Sequence, residues 1–206
     1  MFYYNNRLNS MLLLFKYWFL LINLNSVHTD YLYQSLTMVS NKGYQYSPVV
    51  PTVQLISSTM VNSLQQCAMA CNINPLCRMF DFNANIFQQC RLFEGDTDTL
   101  GTIISSSRSD SAVGSIQITP SLFTQYGQPC SSSCDQSRYL SCINSTCQCT
   151  SHTYWDPSPG ICRVQSPILG AACQQGMNMC REDLNYTCLQ FNQCGRKFLF
   201  VLSQWF

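Results

Sequence analysis

The stretch SLQQCAMACNINPLCRMFDFN, residues 63–83, decides the fold, because a helical pattern gives way within it to a strand pattern. Ser63 and Gln66 have the spacing of a capping box, in which two side chains satisfy free backbone N–H groups at the start of a helix. Pro75 cannot continue a helix, since it lacks a backbone N–H and its ring clashes with the preceding turn. The sequence therefore predicts a short helix over residues 62–74.

One face of this helix carries two cysteines. Leu64, Cys67 and Cys71 recur at positions i, i+3 and i+7, which lie on the same side of a helix. Both thiols are therefore expected to face the interior of the unit, one turn apart.

The segments on either side of the helix favour short β-strands. They combine aromatic and branched residues and are bounded by polar turn residues, such as those at 83–85. Gly114, Ile116 and Ile118 alternate along the last segment, as in a strand with one buried face. The predicted strands are residues 49–56, 77–82, 90–93 and 112–119. Helix and strands together predict one small α+β unit that begins near residue 44 and ends at residue 118.

The cysteines of this unit follow the array Cys67-x3-Cys71-x5-Cys77, with aromatic residues after it, and then Cys90-x-Leu92. This array resembles that of the PAN/Apple domain, and the resemblance covers about residues 40–118. It implies one helix on a small antiparallel sheet, with Cys67 bonded to Cys90 and Cys71 bonded to Cys77. The terminal bridge of some Apple domains has no cysteines here, so the four-cysteine form is implied. The resemblance also implies recognition of proteins or carbohydrates outside the cell.

Composition indicates an oxidising compartment. The chain has 14 cysteines in 206 residues, and charged residues make up 10% of it. Lys and Arg number 11 against 10 Asp and Glu, so no basic surface suited to nucleic acid is expected. The cysteines fall into three separated clusters with Ser, Thr and Pro between them, which favours several small secreted modules over one large domain.

The N-terminal region predicts a signal peptide. Residues 11–22 (MLLLFKYWFLLI) form an apolar run of the appropriate length, and Arg7 precedes it. The signal peptide is expected over residues 1–28, with cleavage within residues 26–30. Lys16 interrupts the run, which leaves a buried helix as the alternative. The run is shorter than the roughly 20 residues of a membrane span, so none is expected in the mature chain.

The second cluster has the spacing Cys130-x3-Cys134-x7-Cys142-x4-Cys147-x-Cys149-x12-Cys162. It resembles an EGF-like module over residues 130–162, here called the second module, preceded by a predicted linker at residues 119–129. Counting alone leaves many pairings open. The resemblance implies three disulfides: Cys130–Cys142, Cys134–Cys147 and Cys149–Cys162. Residues 126–129 lack the acidic groups that calcium-binding members carry, so no calcium site is expected.

The third cluster, Cys173-x6-Cys180-x7-Cys188-x5-Cys194, repeats the second imperfectly. It predicts a partial EGF-like module over residues 173–195, here called the third module, with Cys173 bonded to Cys188 and Cys180 to Cys194. Arg196 stands where the fifth cysteine would be. The tail at residues 196–206 has two interpretations, an incomplete gene model or a membrane-sticky or partner-binding segment, and whether the natural chain continues past Cys194 stays open.

The sequence contains little that catalysis requires. Its histidines are His28, at the predicted signal boundary, and His152, and no GxSxG, HExxH or phosphate loop occurs. No enzymatic activity, catalytic residue or cofactor is therefore expected. Cys147 and Cys149 with His152 resemble a metal-ligand set, but structural disulfides are favoured in a secreted chain, so no metal site is expected and His152 is expected to be an exposed loop residue.

Two groups of side chains are candidate ligand contacts. His152, Tyr154 and Trp155 are either a stacking platform for a sugar or peptide or the minor core of a small module. The second group is either a ligand rim or a solvated face. It consists of Glu94, Asp96, Asp98, Arg78, Arg91 and Arg108.

These observations favour a secreted recognition or adhesion protein. The PAN/Apple-like unit would bind an extracellular protein or glycan, with the EGF-like modules as a stiff spacer. A secreted protease inhibitor is the alternative, with Arg138 and Arg163 as candidate specificity residues, and a structural matrix component is a further one.

Both acceptor sequons should carry N-linked glycans. Asn144-Ser145-Thr146 and Asn185-Tyr186-Thr187 lack proline and lie between cysteines, where a bulky sugar can point outward. Treating the secreted protein with an N-glycosidase should lower its mass, and Asn144→Gln and Asn185→Gln should each remove one glycan. An unchanged mass after treatment would contradict the prediction.

Overall fold

A computed structural model describes residues 37–197 except residues 41, 85–87, 96, 98–99 and 135–137. The predicted signal peptide and most of the tail lie outside the described residues. The strands are β1 (Thr37–Val39), β2 (Tyr44–Pro48), β3 (Leu55–Met60), β4 (Met79–Asn83), β5 (Gln89–Phe93), β6 (Gly101–Ser105), β7 (Ser111–Ile116), β8 (Leu140–Ile143), β9 (Thr146–Cys149), β10 (Thr153–Asp156), β11 (Ile161–Val164), β12 (Tyr186–Cys188) and β13 (Cys194–Arg196). The helices are α1 (Pro51–Gln54), α2 (Leu64–Ile73) and two 3₁₀ turns, Pro120–Phe123 and Glu182–Leu184.

Helix α2 begins where the capping box predicts. The Ser63 hydroxyl accepts from the backbone N–H of Gln66 at 3.2 Å, and the Gln66 side chain accepts from the backbone N–H of Asn62 at 2.7 Å. Cys67 and Cys71 are both fully buried. Within the described part of the chain, α2 is the longest helix, and none is long and apolar enough to cross a bilayer.

The first unit is built on a five-stranded antiparallel sheet in the order β1-β7-β4-β5-β3. One face of this sheet packs against α2 through Phe80, Phe82 and Leu92. The β2–β6 pair covers part of the other face, where Tyr46 packs with Met79, Phe93 and Val113. The predicted fold class, a small disulfide-rich α+β domain with one main helix, is therefore confirmed.

The strand predicted over residues 49–56 is wrong. Residues 51–54 form the single helical turn α1, and the strand begins only at Leu55. Pro51 fixes the backbone at the first helical position, and the Gln54 side chain accepts from the Val50 N–H at 2.7 Å. Gln54 is fully buried and donates to the Leu100 carbonyl at 2.7 Å, a contact that a continuous strand would not make.

The second and third modules are β-hairpins held by disulfides. In the second, β8 pairs with β9 and β10 with β11; in the third, β12 pairs with β13, which includes Arg196 from the predicted tail. Asn144 and Ser145 have φ of 50° and 60°, the left-handed values of a tight hairpin turn. The disulfides of the whole described chain are Cys67–Cys90, Cys71–Cys77, Cys130–Cys142, Cys134–Cys147, Cys149–Cys162, Cys173–Cys188 and Cys180–Cys194, the same pairs that the resemblances imply.

The predicted linker at residues 119–129 contributes Phe123 to the core. Phe123, in its 3₁₀ turn, is 3% exposed, and its ring centroid lies 6.0 Å from that of Tyr139 and 6.4 Å from that of Trp155. Tyr126 stacks on Trp155 at 3.8 Å with nearly parallel rings. The segment therefore buries aromatic surface against the second module.

Two arginines join the first unit to the second module. Arg78, 3% exposed, lies 4.1 Å above the ring of Tyr139 and donates to the Cys162 carbonyl at 3.5 Å. Arg138 donates to the carbonyl of Cys71, at 3.0 Å. The first unit and the second module therefore share a buried core.

Gly114→Val should destabilise the first unit. Gly114 lies opposite Phe80 in the sheet, and a Cβ there would overlap the buried ring. Forcing Phe80 aside should cost about 1–3 kcal/mol, measured by chemical unfolding with the disulfides intact. Ser115→Val, on the opposite face of the same strand, is the control and should cost much less. Equal stabilities of the two variants would show that Phe80 yields freely.

Candidate functional site

A polar pocket opens on the first unit, between the end of the β4–β5 pair and the β2–β6 pair. Its volume is about 240 Å³. The residues that line this polar pocket are Gln45, Asp81, Phe82, Asn83, Gln89, Arg91, Ser107, Arg108 and Ser111. Charged and amide groups dominate, so the pocket suits a polar ligand more than an apolar one.

Asp81 and Arg91 form an ion pair that lines the polar pocket. Strand alternation places both on the sheet face away from α2, directly opposite each other in β4 and β5. Arg91 binds the Asp81 carboxylate through two nitrogens, with Nε at 2.8 Å from Oδ1. Burial raises the pKa of Asp81, while the hydrogen bonds and charge of Arg91 and the backbone N–H of Tyr46 oppose that rise. The pair is thus a fixed, oriented element of the pocket.

Arg108 supplies a second guanidinium. It lies in the turn between β6 and β7, which is held by a hydrogen bond from its own N–H to Ser106 Oγ at 3.2 Å. Its carbonyl accepts from the Ser111 hydroxyl at 2.8 Å. Among the described residues, no carboxylate forms an ion pair with the Arg108 side chain. Backbone contacts therefore hold Arg108 at the edge of the polar pocket.

A second group of charges joins all three units, and we call Glu94, His152, Arg181 and Asp183 the junction cluster. The Glu94 carboxylate lies between His152 and Arg181. Its Oε1 is 2.8 Å from His152 Nδ1, and its Oε2 is 2.8 Å from Arg181 Nη1. Arg181 also binds Asp183 with Nε at 2.7 Å and Nη2 at 2.8 Å. The side chains of Glu94 and Arg181 are only 5% and 4% exposed.

The electrostatics of the junction cluster favour the charged forms of Arg181 and Asp183. Burial by itself lowers the pKa of Arg181, but the hydrogen bond to Asp183 and the charges of Glu94 and Asp183 raise it above its ordinary value. The hydrogen bond from Arg181 holds the pKa of Asp183 below its usual range, against the effect of burial. A buried arginine with two carboxylate partners is satisfied as long as both partners are present.

Glu94 is positioned by Gln54, the last residue of helix α1. Its backbone N–H donates to the Gln54 carbonyl at 2.8 Å, and the Gln54 side chain donates to its carbonyl at 3.3 Å. Glu94 is therefore held by hydrogen bonds within the first unit, and its carboxylate binds His152 of the second module and Arg181 of the third.

The structure separates the charged residues that the sequence grouped together. Arg91 and Arg108 lie at the polar pocket, whereas Arg78 is buried under Tyr139. Glu94 is buried in the junction cluster, so both its predicted roles, ligand rim and solvated face, are wrong. The remaining two acidic residues, Asp96 and Asp98, lie outside the described residues.

The aromatic group of the second module is partly core and partly surface. Trp155 is fixed between Tyr126 and Phe123, as the minor-core interpretation expects. His152 is not a freely exposed loop residue, since its side chain is 28% exposed and bonded to Glu94. His152 and Tyr154 both line a cleft beside the third module.

Sequence reasoning missed the roles of Arg181 and Asp183. The partner of Arg181, Glu94, lies 87 residues away along the chain. No local pattern marks such a pair. The sulfur atoms that come within 4.8 Å of one another, in the sets Cys130, Cys134 and Cys147 and Cys173, Cys180 and Cys194, all belong to disulfides.

The fold and these contacts define a class, that of small disulfide-rich modules in which a helix is tied to an antiparallel sheet. Residues 39–117 match the family model of the PAN domain, and this part of the chain is a PAN domain. A comparison with curated proteins finds no match. The EGF-like assignment of the second and third modules stays a prediction, since the matched family covers the first unit alone.

Breaking the buried Glu94–Arg181 pair should destabilise the chain. Glu94→Gln or Arg181→Met leaves the other charge buried with fewer partners and should cost about 3 kcal/mol, measured by urea unfolding. The double variant should cost less than the two single changes together. Arg163→Met is the control, because Arg163 pairs with Asp156 at a more exposed site and should cost about 1 kcal/mol or less. A Glu94→Gln cost equal to that of the control would contradict the role of the pair.

Proposed function

We propose that the protein is a secreted, extracellular recognition protein that binds a protein or a carbohydrate through its PAN domain, and that it acts by binding and not by catalysis. The observation that carries the proposal is the polar pocket within the PAN domain, which is lined by the Asp81–Arg91 ion pair and by Arg108. PAN domains mediate protein or carbohydrate binding in extracellular proteins.

The charge of the pocket favours a ligand with an acidic group. Arg91 uses two of its nitrogens on Asp81, while the Arg108 guanidinium has no ion-pair partner among the described residues. A planar guanidinium binds a carboxylate or sulfate with two parallel hydrogen bonds, which gives both strength and orientation. The amide groups of Gln45 and Gln89 line the same pocket and suit sugar hydroxyls. An acidic glycan is therefore the preferred ligand, with an acidic protein segment as the other.

Secretion is supported by the redox state of the cysteines and by the sequons. Every described cysteine is in a disulfide, which requires an oxidising compartment. Asn144 and Asn185 are both exposed and in left-handed backbone conformations at turns, where an attached glycan would meet no neighbouring strand.

Catalysis and protease inhibition have less support. Within the described part of the chain, His152 is the single histidine, and it is engaged by Glu94. The candidate inhibitor residues are engaged too: Arg138 donates to a carbonyl of the PAN domain and Arg163 binds Asp156 at 2.6 Å. A specificity residue of an inhibitor has to reach into the protease, which these contacts disfavour.

Arg108→Ala should weaken binding to acidic glycans. The secreted full chain would be tested on an array of sulfated and sialylated glycans with their neutral parents, and hits titrated by calorimetry. Loss of a charge-assisted hydrogen bond worth about 1.5–3 kcal/mol should lower affinity by about tenfold or more. Affinity should also fall with added salt.

The matched control is Arg196→Ala, which removes the same charge from an exposed position in the third module. It should leave binding nearly unchanged. If both variants bind equally, or if acidic and neutral glycans bind alike, the polar pocket is not the recognition site. If binding is confined to an acidic peptide or protein and still depends on Arg108, the pocket is retained and the ligand is a protein.

A further inference from the structure

A cleft of about 660 Å³ lies between the second and third modules, outside the PAN domain. We call it the inter-module cleft. One wall includes Thr150, Tyr154 and Trp155 of the second module and the other includes Asn178 and Asp183 of the third. Its volume is within the range of about 300–1,000 Å³ that small-molecule sites occupy.

Rigid aromatic rings line this cleft. Tyr126 and Trp155 stack on each other at 3.8 Å, and Phe123 contacts Trp155 edge-on from the core side. Both stacked rings also line the cleft, together with Tyr154. Since these rings are already held by the core, a ligand that packs against them would immobilise few additional side-chain rotamers.

A buried hydroxyl of the same wall lacks a hydrogen bond. Thr150 is 6% exposed, and its Oγ1 has no hydrogen-bond partner among the described residues. An unsatisfied hydroxyl in this setting costs about 1–3 kcal/mol, and such groups are uncommon in native structures. The Thr150 Oγ1 has less than 1 Å² of accessible surface, so a ligand hydroxyl reaches it once the Thr150 side chain rotates toward the cleft, and that bond would remove the cost.

The two walls are fixed relative to each other within the folded unit. His152, on the second module, lies 2.8 Å from Glu94, and Glu94 in turn binds Arg181 of the third module. At the base, Gln165 donates to the Asn178 carbonyl at 2.9 Å. The cleft is thus preformed by contacts that require all three units.

The chemistry of the lining points to an uncharged saccharide. Stacked rings suit the apolar faces of sugar rings, while the Gln148 and Asn178 amides and the Thr150 hydroxyl suit their hydroxyl groups. The charged residues of the third-module wall, Glu182 and Asp183, are both acidic. Because Asp183 is paired with Arg181, Glu182 is the charge that disfavours a sulfated or carboxylated ligand. This preference is opposite to that of the polar pocket.

We propose that the inter-module cleft is a second binding site, specific for a short uncharged oligosaccharide that packs against Tyr126, Tyr154 and Trp155 and hydrogen-bonds to Thr150. The site does not rest on the proposed function of the PAN domain, because none of its residues belongs to that domain.

Thr150→Val tests the site with the full secreted chain, freed of its own N-glycans by glycosidase. The probe is an array of neutral oligosaccharides with their sialylated and sulfated counterparts, followed by calorimetry on the neutral hits. Loss of one hydrogen bond should lower affinity by about tenfold. The melting temperature should stay equal or rise, because the variant removes an unsatisfied buried hydroxyl. A purely structural role for Thr150 would instead lower the melting temperature and leave affinity unchanged.

Three variants complete the design. Tyr154→Ala should also weaken neutral-saccharide binding, Thr102→Val on the PAN domain should not, and Arg108→Ala should leave it intact. The proposal is overturned if no neutral saccharide binds up to about 1 mM, the weak end of specific binding, or if only a peptide occupies the cleft. It is also overturned if Thr150→Val binds as tightly as the parent, or if neutral binding is lost with Arg108. Failure of acidic-glycan binding with neutral binding retained overturns the PAN-domain proposal alone.

Discussion

The carboxylate of Glu94 is the point on which the arrangement of the three units depends. It leaves the PAN sheet at the end of β5, is held by the buried Gln54, and binds His152 of the second module and Arg181 of the third. A carboxylate and a guanidinium this deeply buried are stable only as partners, because each alone would lose its hydration without compensation. This reciprocal need sets how the cysteine-rich modules dock on the PAN domain.

Docking changes what these small modules can do. A cysteine-rich module of this size buries little apolar surface of its own and depends on its disulfides. Here Phe123, Tyr139 and Trp155 extend the core from the PAN domain into the second module. The resulting body presents two concave surfaces, a polar pocket lined by Arg91 and Arg108 and a cleft bordered by Glu182 and Asp183. Under the two proposals, one chain would contact an acidic and a neutral group at the same time, which would raise its avidity for a composite surface.

Local sequence signals were reliable where the interaction is local. The start of α2 follows from Ser63 and Gln66, which bond to backbone groups three or four residues away. The segment at residues 49–56 was predicted incorrectly, because Gln54 satisfies its amide with carbonyls 40 and 46 residues further along the chain. The same limit applies to the candidate site. The sequence marks Arg78, Arg91 and Arg108 as charged residues of one unit. Strand register decides which of them is buried in the core and which line the polar pocket.

By itself the sequence determined the cysteine array, the helix with its two inward thiols, the α+β character of the PAN domain and the modular series of cysteine clusters, because spacing and backbone propensity act over a few residues. Tertiary structure alone decided that Phe123 belongs to the core, that Glu94 and His152 meet, and that a cleft forms beside Thr150. His152 and Arg181 lie 58 and 87 residues from Glu94, and their pairing gains free energy only after packing has removed water from between them. No pattern along the chain encodes that proximity.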